Sequence, residues 1–61
     1  MNKLRKWRRR EKLSLTDVAS RLAVTKGAVS RWENGNRTPS RPLLFAIETM
    51  TGGEVPAKGW L

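Results

Sequence analysis

The eleven residues TKGAVSRWENG, at positions 25–35, combine a helical pattern with side chains that could contact a nucleic acid. When successive residues are placed about 100° apart, Val29 and Trp32 share one face of the helix. Gly27, Ser30 and Arg31 fall on the opposite face. A surface helix ordinarily carries stronger helix formers than glycine and serine there. The small residues would instead let the helix backbone approach a ligand closely.

The basic residues of this helix have chemistry suited to reading base edges. An α-helix fits the major groove of double-stranded DNA, with its N-terminal residues nearest the bases. Arg31 could donate two hydrogen bonds to a guanine, and Ala28 could contact a thymine methyl group. Lys26 could donate to a guanine as a point charge, and Gly27 would provide clearance. We therefore predict base readout by Lys26, Gly27, Ala28 and Arg31.

A charged helix face is often only a solvated face, so the composition of the chain bears on this interpretation. The 61 residues suffice for one small domain. Lys and Arg number 13 against 5 Asp and Glu, which gives a formal net charge of +8. Such an excess points to a polyanionic partner. Nucleic acid is favoured over an anionic membrane and over a role in solubility alone.

The composition also argues against several other classes of protein. The chain has no Cys and no His, which removes disulfides, His/Cys zinc sites and the usual nucleophile systems. The acidic residues form no evident catalytic pair, so we expect no enzyme, no metal and no cofactor. A small-molecule ligand is not expected either. No apolar run approaches the roughly 20 residues of a membrane span, and we expect a cytoplasmic protein.

Hydrophobic periodicity predicts an all-α chain of four helices, with a fifth element left open. The helices are expected at about 3–11, 14–23, 25–34 and 40–51. Ser14 and Asp17 fit a capping box, Thr25 fits an N-cap, and Gly35 fits a left-handed helix end. The second and third helices are then only about three residues apart. This spacing predicts a helix-turn-helix within a domain at 1–51.

One arginine falls on the apolar side of the first helix. Arg8 shares a stripe with Leu4 and Trp7, where an unpaired charge would be costly. Glu33 lies at the edge of the apolar face of the third helix. We therefore predict an ion pair between Arg8 and Glu33 that joins the first and third helices.

These features together resemble the Cro/CI-type (XRE-like) helix-turn-helix of phage repressors and related bacterial regulators. The resemblance covers roughly residues 4–50 and is strongest in VASRL (18–22), in Val24 and Thr25, and in SRWENG (30–35). It implies a compact fold of the lambda-repressor-like type, with base readout at Lys26, Gly27 and Arg31. Positions near DNA phosphates are implied for Ser14, Leu15, Asn34, Asn36, Thr38 and Arg41, and we add Thr25, Ser30 and Arg37 beside them.

The chain departs from the family pattern at several positions. Leu15 stands where a phosphate-binding Gln is common, so only its backbone amide can serve. Ala23 and Lys12 stand where Gly is common, which implies mild strain or a different turn geometry. The fifth helix is missing or replaced by residues 52–61. Pro56 and Gly59 argue that this tail is not a regular helix.

The sequence thus predicts a Cro-like repressor that binds a pseudo-palindromic operator as a homodimer. It would act in the bacterial nucleoid or in a phage-infected bacterial host. Dimer contacts are expected in the tail, at Val55, Trp60 and Leu61. A DNA-binding antitoxin uses the same module and remains an alternative. A cationic membrane-active peptide fits less well, since its helix would need one long amphipathic face.

Overall fold

The computed structural model describes residues 3–60 and is all-helical over that range. The helices are α1 (Lys3–Arg10), α2 (Leu15–Leu22), α3 (Lys26–Glu33) and α4 (Arg41–Met50), followed by a 3₁₀ helix at Ala57–Trp60. They pack into a globule of 24 × 22 × 20 Å. The predicted all-α, four-helix fold is confirmed. None of these helices is long and apolar enough to cross a membrane.

Every α-helix contributes an apolar stripe to a single core. Leu4, Val18, Val29 and Ile47 are each fully buried, one from each helix. Trp7 and Trp32 add the largest apolar surfaces. The remaining members of the core cluster are Ala19 and Val55, with Leu13, Leu15, Leu22, Val24, Ala28, Leu43, Met50 and Trp60 partly buried against it.

Side-chain caps begin both α2 and α3. Ser14 Oγ accepts a hydrogen bond from the Asp17 amide, and Asp17 Oδ2 accepts one from the Ser14 amide at 2.8 Å. The bond from the Ser14 backbone holds the pKa of Asp17 below its usual value. At the start of α3, Thr25 Oγ1 accepts from the Ala28 amide at 3.1 Å. These caps are the ones that the sequence predicts.

Ala23 closes α2 in the left-handed conformation, with φ of 58°. The amide of the next residue, Val24, donates to the Ala19 carbonyl at 3.0 Å, which completes the helix end. For a residue with a Cβ this conformation costs about 1–2 kcal/mol. Lys12 has the same φ at the end of α1. Ala23 and Lys12 therefore both adopt the left-handed conformation that glycine commonly adopts at a helix end, and both carry backbone strain.

Three side chains join α1 to the end of α3. Arg8 donates from Nε to Glu33 Oε2 at 2.6 Å and from Nη2 to Oε1 at 3.0 Å. Arg5 donates from Nε to Glu33 Oε1 at 3.3 Å. The Glu33 side chain is only 1% exposed, and the Arg8 side chain is 13% exposed. The Glu33 hydrogen bonds hold the pKa of Arg8 above its usual value. A buried carboxylate therefore holds both arginines.

The segment after α4 differs from the expected tail. Val55 is 2% exposed and belongs to the core, and its amide donates to Thr51 Oγ1 at 3.1 Å. The Ala57 amide donates to Glu48 Oε1 at 3.2 Å, where the 3₁₀ helix begins. Pro56 precedes this 3₁₀ helix without interrupting it. The prediction that Pro56 and Gly59 exclude a regular helix therefore did not foresee a single 3₁₀ turn. The Val55 side chain is thus unavailable as a dimer contact, and Leu61 lies outside the described residues.

The buried ion pair predicts a large stability effect for Arg8→Ala. The substitution removes two of the three guanidinium bonds to a carboxylate that stays buried, and removing one partner of such a pair costs about 3 kcal/mol. Arg10→Ala is the matched control, because Arg10 pairs with Glu54 where both side chains are about half exposed. Urea denaturation should show a large loss for Arg8→Ala and little change for Arg10→Ala. Equal stability of the two variants would contradict the role given to Glu33.

Candidate nucleic-acid interface

The exposed face of α3 is defined by what the helix buries. Val29, Trp32 and Glu33 are at most 5% exposed and anchor the helix to the core. Lys26 and Arg31, on the other side, are exposed to solvent. The three anchors fix the rotation of α3 about its axis. Lys26 and Arg31 therefore project outward from a helix whose orientation is set by its buried face.

Gly27 makes room for the side chain of Arg31. A Cβ atom built on Gly27 would lie 3.3 Å from Arg31 Nη1, which is closer than ordinary van der Waals contact. The Arg31 guanidinium therefore lies alongside the glycine, one helical turn away. From the sequence, the absence of a side chain at Gly27 is expected to let DNA approach the helix backbone. In the protein without DNA, the space beside Gly27 is where the end of Arg31 lies.

Ala28 is placed differently from the other three predicted base-reading residues. It is partly buried and packs against the core. It also lines a groove of about 400 Å³ between α3 and the loop that follows. The groove brings Ala28 and Arg31 together with Arg37 and Thr38, and it also contains Ser40. The predicted base-reading helix and the predicted phosphate-binding loop thus share one concave surface.

The first turns of α2 and α3 carry hydroxyl groups with hydrogen-bonding capacity left. Ser14 and Thr25 are exposed, and each hydroxyl accepts a hydrogen bond from its own helix. Because a hydroxyl also carries a donor hydrogen, each can still donate to a phosphate oxygen. Leu15 is partly buried against the core, so its side chain is turned inward. Only its amide, in the first turn of α2, could serve a phosphate.

The other predicted phosphate-binding residues surround the C-terminal end of α3. Gly35 has φ of 78° and ends the helix in the left-handed conformation. The amides of Asn36 and Arg37 then donate to the Arg31 carbonyl at 2.9 and 3.3 Å, which folds the loop back against the helix. Asn34, Asn36, Arg37, Thr38 and Arg41 are exposed on this segment, and Ser30 is partly buried.

Two residues at this surface were missed from the sequence. Arg5 donates from Nη2 to Asn34 Oδ1 at 2.6 Å, which links α1 to the end of α3. Its position outside the apolar stripe of α1 suggested a solvated residue, and only its spacing of three from Arg8 could have hinted at a shared partner. Ser40, the N-cap of α4, makes no capping hydrogen bond with its side chain. Ser40 also lines the groove, so it belongs to this surface.

The distribution of ion pairs leaves this surface cationic. The acidic side chains bond elsewhere: Glu33 to Arg5 and Arg8, Glu11 and Glu54 to Arg10, Asp17 to Ser14 and Glu48 to Ala57. Arg10 also holds the pKa of Glu54 below its usual value. The exposed cations of this surface form no ion pair with any of residues 3–60; they are Lys26, Arg31, Arg37 and Arg41. Uncompensated positive charge is what binding to a phosphate backbone requires.

Comparison with known proteins gives one match. A family model described as helix-turn-helix matches residues 4–55, which is most of the chain. Searches of curated proteins and of solved structures returned no match. The matched range covers α2, α3, α4 and all of α1 except Lys3, and it ends at the buried Val55. The family consists of DNA-binding transcription regulators and not of enzymes. The chain therefore belongs to the XRE-type, Cro/CI-like helix-turn-helix family.

Proposed function

We propose that this protein is a Cro-like repressor that binds a pseudo-palindromic operator as a homodimer. The observation that carries the proposal is the exposed face of α3, with Lys26 and Arg31 free of ion pairs beside a cationic loop. α3 enters the major groove, and the bound dimer blocks access of the transcription machinery to the promoter. Repression on this mechanism is steric and depends on protein concentration.

The roles of individual residues follow from their placement. Arg31 turns from its position beside Gly27 to the edge of a guanine, to which it donates two hydrogen bonds. Movement of Arg31 uncovers Gly27 and lets the backbone of α3 approach the groove floor. Lys26 contacts a neighbouring base as a point charge. Ala28, which is partly buried, contributes a methyl surface at the side of the groove.

Phosphate contacts on either side of the major groove hold α3 in register. On one side are Ser14 and the Leu15 amide at the start of α2, with Thr25 at the start of α3. On the other side are Ser30 and Asn34 from α3, Asn36, Arg37 and Thr38 from the loop, and Arg41 from α4. Such contacts position a protein on duplex DNA without reading its sequence. This division leaves specificity to Arg31 and Lys26.

The dimer contact that we propose is Phe45 of α4. Phe45 is 61% exposed, the most exposed large apolar side chain of residues 3–60. It borders an apolar recess lined by Arg41, Leu44 and Ala57. In a two-fold dimer, the Phe45 ring of each protomer could enter the recess of its partner, so that the same surface serves on both sides. Arg41 is also in the phosphate-binding set, so this patch adjoins the DNA surface. Trp60, which is partly buried against the chain's own core, has a secondary role in the contact.

Selection of binding sites from random duplex DNA tests the function. We expect enrichment of one sequence in two inverted copies whose centres are about 34 Å apart, one turn of the double helix. Electrophoretic mobility of the selected duplex against one with a single half-site then reports the number of chains bound. The absence of any enriched sequence would contradict the proposed function. Enrichment of a single, unrepeated half-site would contradict the homodimer.

Arg31→Ala tests the assignment of base readout. We expect a loss of about 1–3 kcal/mol in binding to the selected duplex, with relaxed preference at one base pair, because one bidentate contact disappears. Arg9→Ala is the matched control, since Arg9 is an exposed guanidinium on α1 outside the predicted base-reading set. It should weaken binding to all duplexes alike. Titrations against the selected duplex and its single-base variants measure both effects. A uniform loss for Arg31→Ala would show that the readout assignment is wrong.

Phe45→Ala tests the dimer contact. Truncation of a central aromatic residue at an interface costs about 2 kcal/mol or more, so we expect dimerisation to weaken roughly 30-fold. The melting temperature of the monomer should hardly change, because Phe45 is mostly exposed. Ala46→Ser, at the adjacent exposed position, is the control. Sedimentation equilibrium with and without the operator measures the association. If both variants dimerise like the original chain, the interface lies on another face.

A further inference from the structure

A continuous set of hydrogen bonds runs from the buried ion pair to the proposed DNA surface. Arg8 and Arg5 both donate to the carboxylate of Glu33. Arg5 also donates from Nη2 to Asn34 Oδ1 at 2.6 Å. Asn34 Nδ2 lies 3.4 Å from Ser30 Oγ, to which it donates a weak bond. Asn34 and Ser30 both belong to the proposed phosphate-binding set. Arg5 therefore contacts the core bridge and the DNA surface at the same time.

The chemistry of the two groups fixes which atom of the Asn34 amide meets Arg5. A guanidinium carries only hydrogen-bond donors, whereas an asparagine amide has an oxygen that accepts and an NH₂ group that donates. The atom 2.6 Å from Arg5 Nη2 must therefore be the amide oxygen. The NH₂ group consequently lies on the opposite side, toward Ser30. A flipped amide would place two donors against each other.

We infer that Arg5 is a positioning residue that aims the NH₂ group of Asn34 at a DNA phosphate. The inference rests on the proposed function, because it takes the phosphate from the operator complex. Arg5 itself is held at Nε by Glu33, whose side chain is 1% exposed. The amide of an exposed residue is thus oriented by a carboxylate in the core, through one guanidinium.

Orientation matters because the two ends of the amide have opposite effects on a phosphate. The NH₂ group donates a charge-assisted hydrogen bond to an anionic oxygen. The amide oxygen would repel the same anion. Asn34 is exposed, and its side-chain partners among residues 3–60 are Arg5 and Ser30. Of these, the Ser30 contact is the longer. Loss of Arg5 would leave the amide free to turn either end toward the DNA.

The orientation can be tested on the protein without DNA. Arg5→Met keeps most of the aliphatic stem and removes every donor, and Arg9→Met removes an exposed guanidinium from the same helix as a control. In nuclear magnetic resonance spectra, we expect Arg5→Met to shift the Asn34 side-chain NH₂ signals toward free-amide values and to remove their contacts with Ser30. Arg9→Met should leave both unchanged, and backbone signals of the core report that each variant is folded. Unchanged Asn34 signals in Arg5→Met would overturn the inference.

Binding to the selected duplex tests the consequence. We expect Asn34→Ala and Arg5→Met each to weaken binding about tenfold, once the loss seen for Arg9→Met is factored out. The double variant Arg5→Met/Asn34→Ala should be no weaker than either single variant, because both changes remove the same contact. In Arg9→Met/Asn34→Ala the two losses should multiply. Losses that multiply for Arg5 and Asn34 as well would overturn the inference. Failure to find an operator would contradict only the proposed function, since the spectra of the free protein decide the position of the amide separately.

Discussion

The ion pair between Arg8 and the buried carboxylate of Glu33 is the interaction on which the arrangement of the helices most depends. Apolar contacts bring α1 and α3 together, but they are not directional and tolerate rotation of one helix against the other. Arg8 holds both oxygens of Glu33 in the paired geometry that makes guanidinium–carboxylate contacts specific. The pair need not add much net stability, because desolvation of the two charges offsets their attraction. Its contribution is the fixed rotation of α3, and hence the direction in which Lys26 and Arg31 project.

The connection between α2 and α3 shows how a short turn is held in spite of local strain. Ala23 adopts a left-handed conformation that glycine would adopt without cost. Before the turn, the Val24 amide donates to the Ala19 carbonyl and closes α2, and after it Thr25 caps the start of α3. A cap stabilises a helix by about 1 kcal/mol, which is comparable to the strain at Ala23. The turn is therefore stable because the helix ends on either side of it satisfy their own backbone groups.

Local signals in the sequence were sufficient for the helices and caps, and insufficient for contacts across the fold. Val29 and Trp32 were readable as core residues because helical periodicity depends only on neighbours along the chain. The burial of Val55 and the exposure of Phe45 could not be predicted in this way, because both depend on the path of the chain after α4. Val55 closes the core, while Phe45 stays exposed on a helix whose other face is buried. The bond between Arg5 and Asn34 joins residues 29 positions apart and has no local signature.

A domain of this size leaves few residues with a single role, and α3 shows the consequence. Within its eight residues, Val29, Trp32 and Glu33 complete the core, while Lys26 and Arg31 are exposed for a ligand. The next residue, Asn34, caps the helix through its backbone and bonds to α1 through its side chain. The acidic and basic residues also have separate roles. The acidic side chains bond to arginines of α1, to a helix cap and to a backbone amide. The surface around α3 is cationic because the acidic side chains are bonded at other places in the fold. The same bonds that stabilise the domain therefore leave positive charge on this surface for a polyanion to bind.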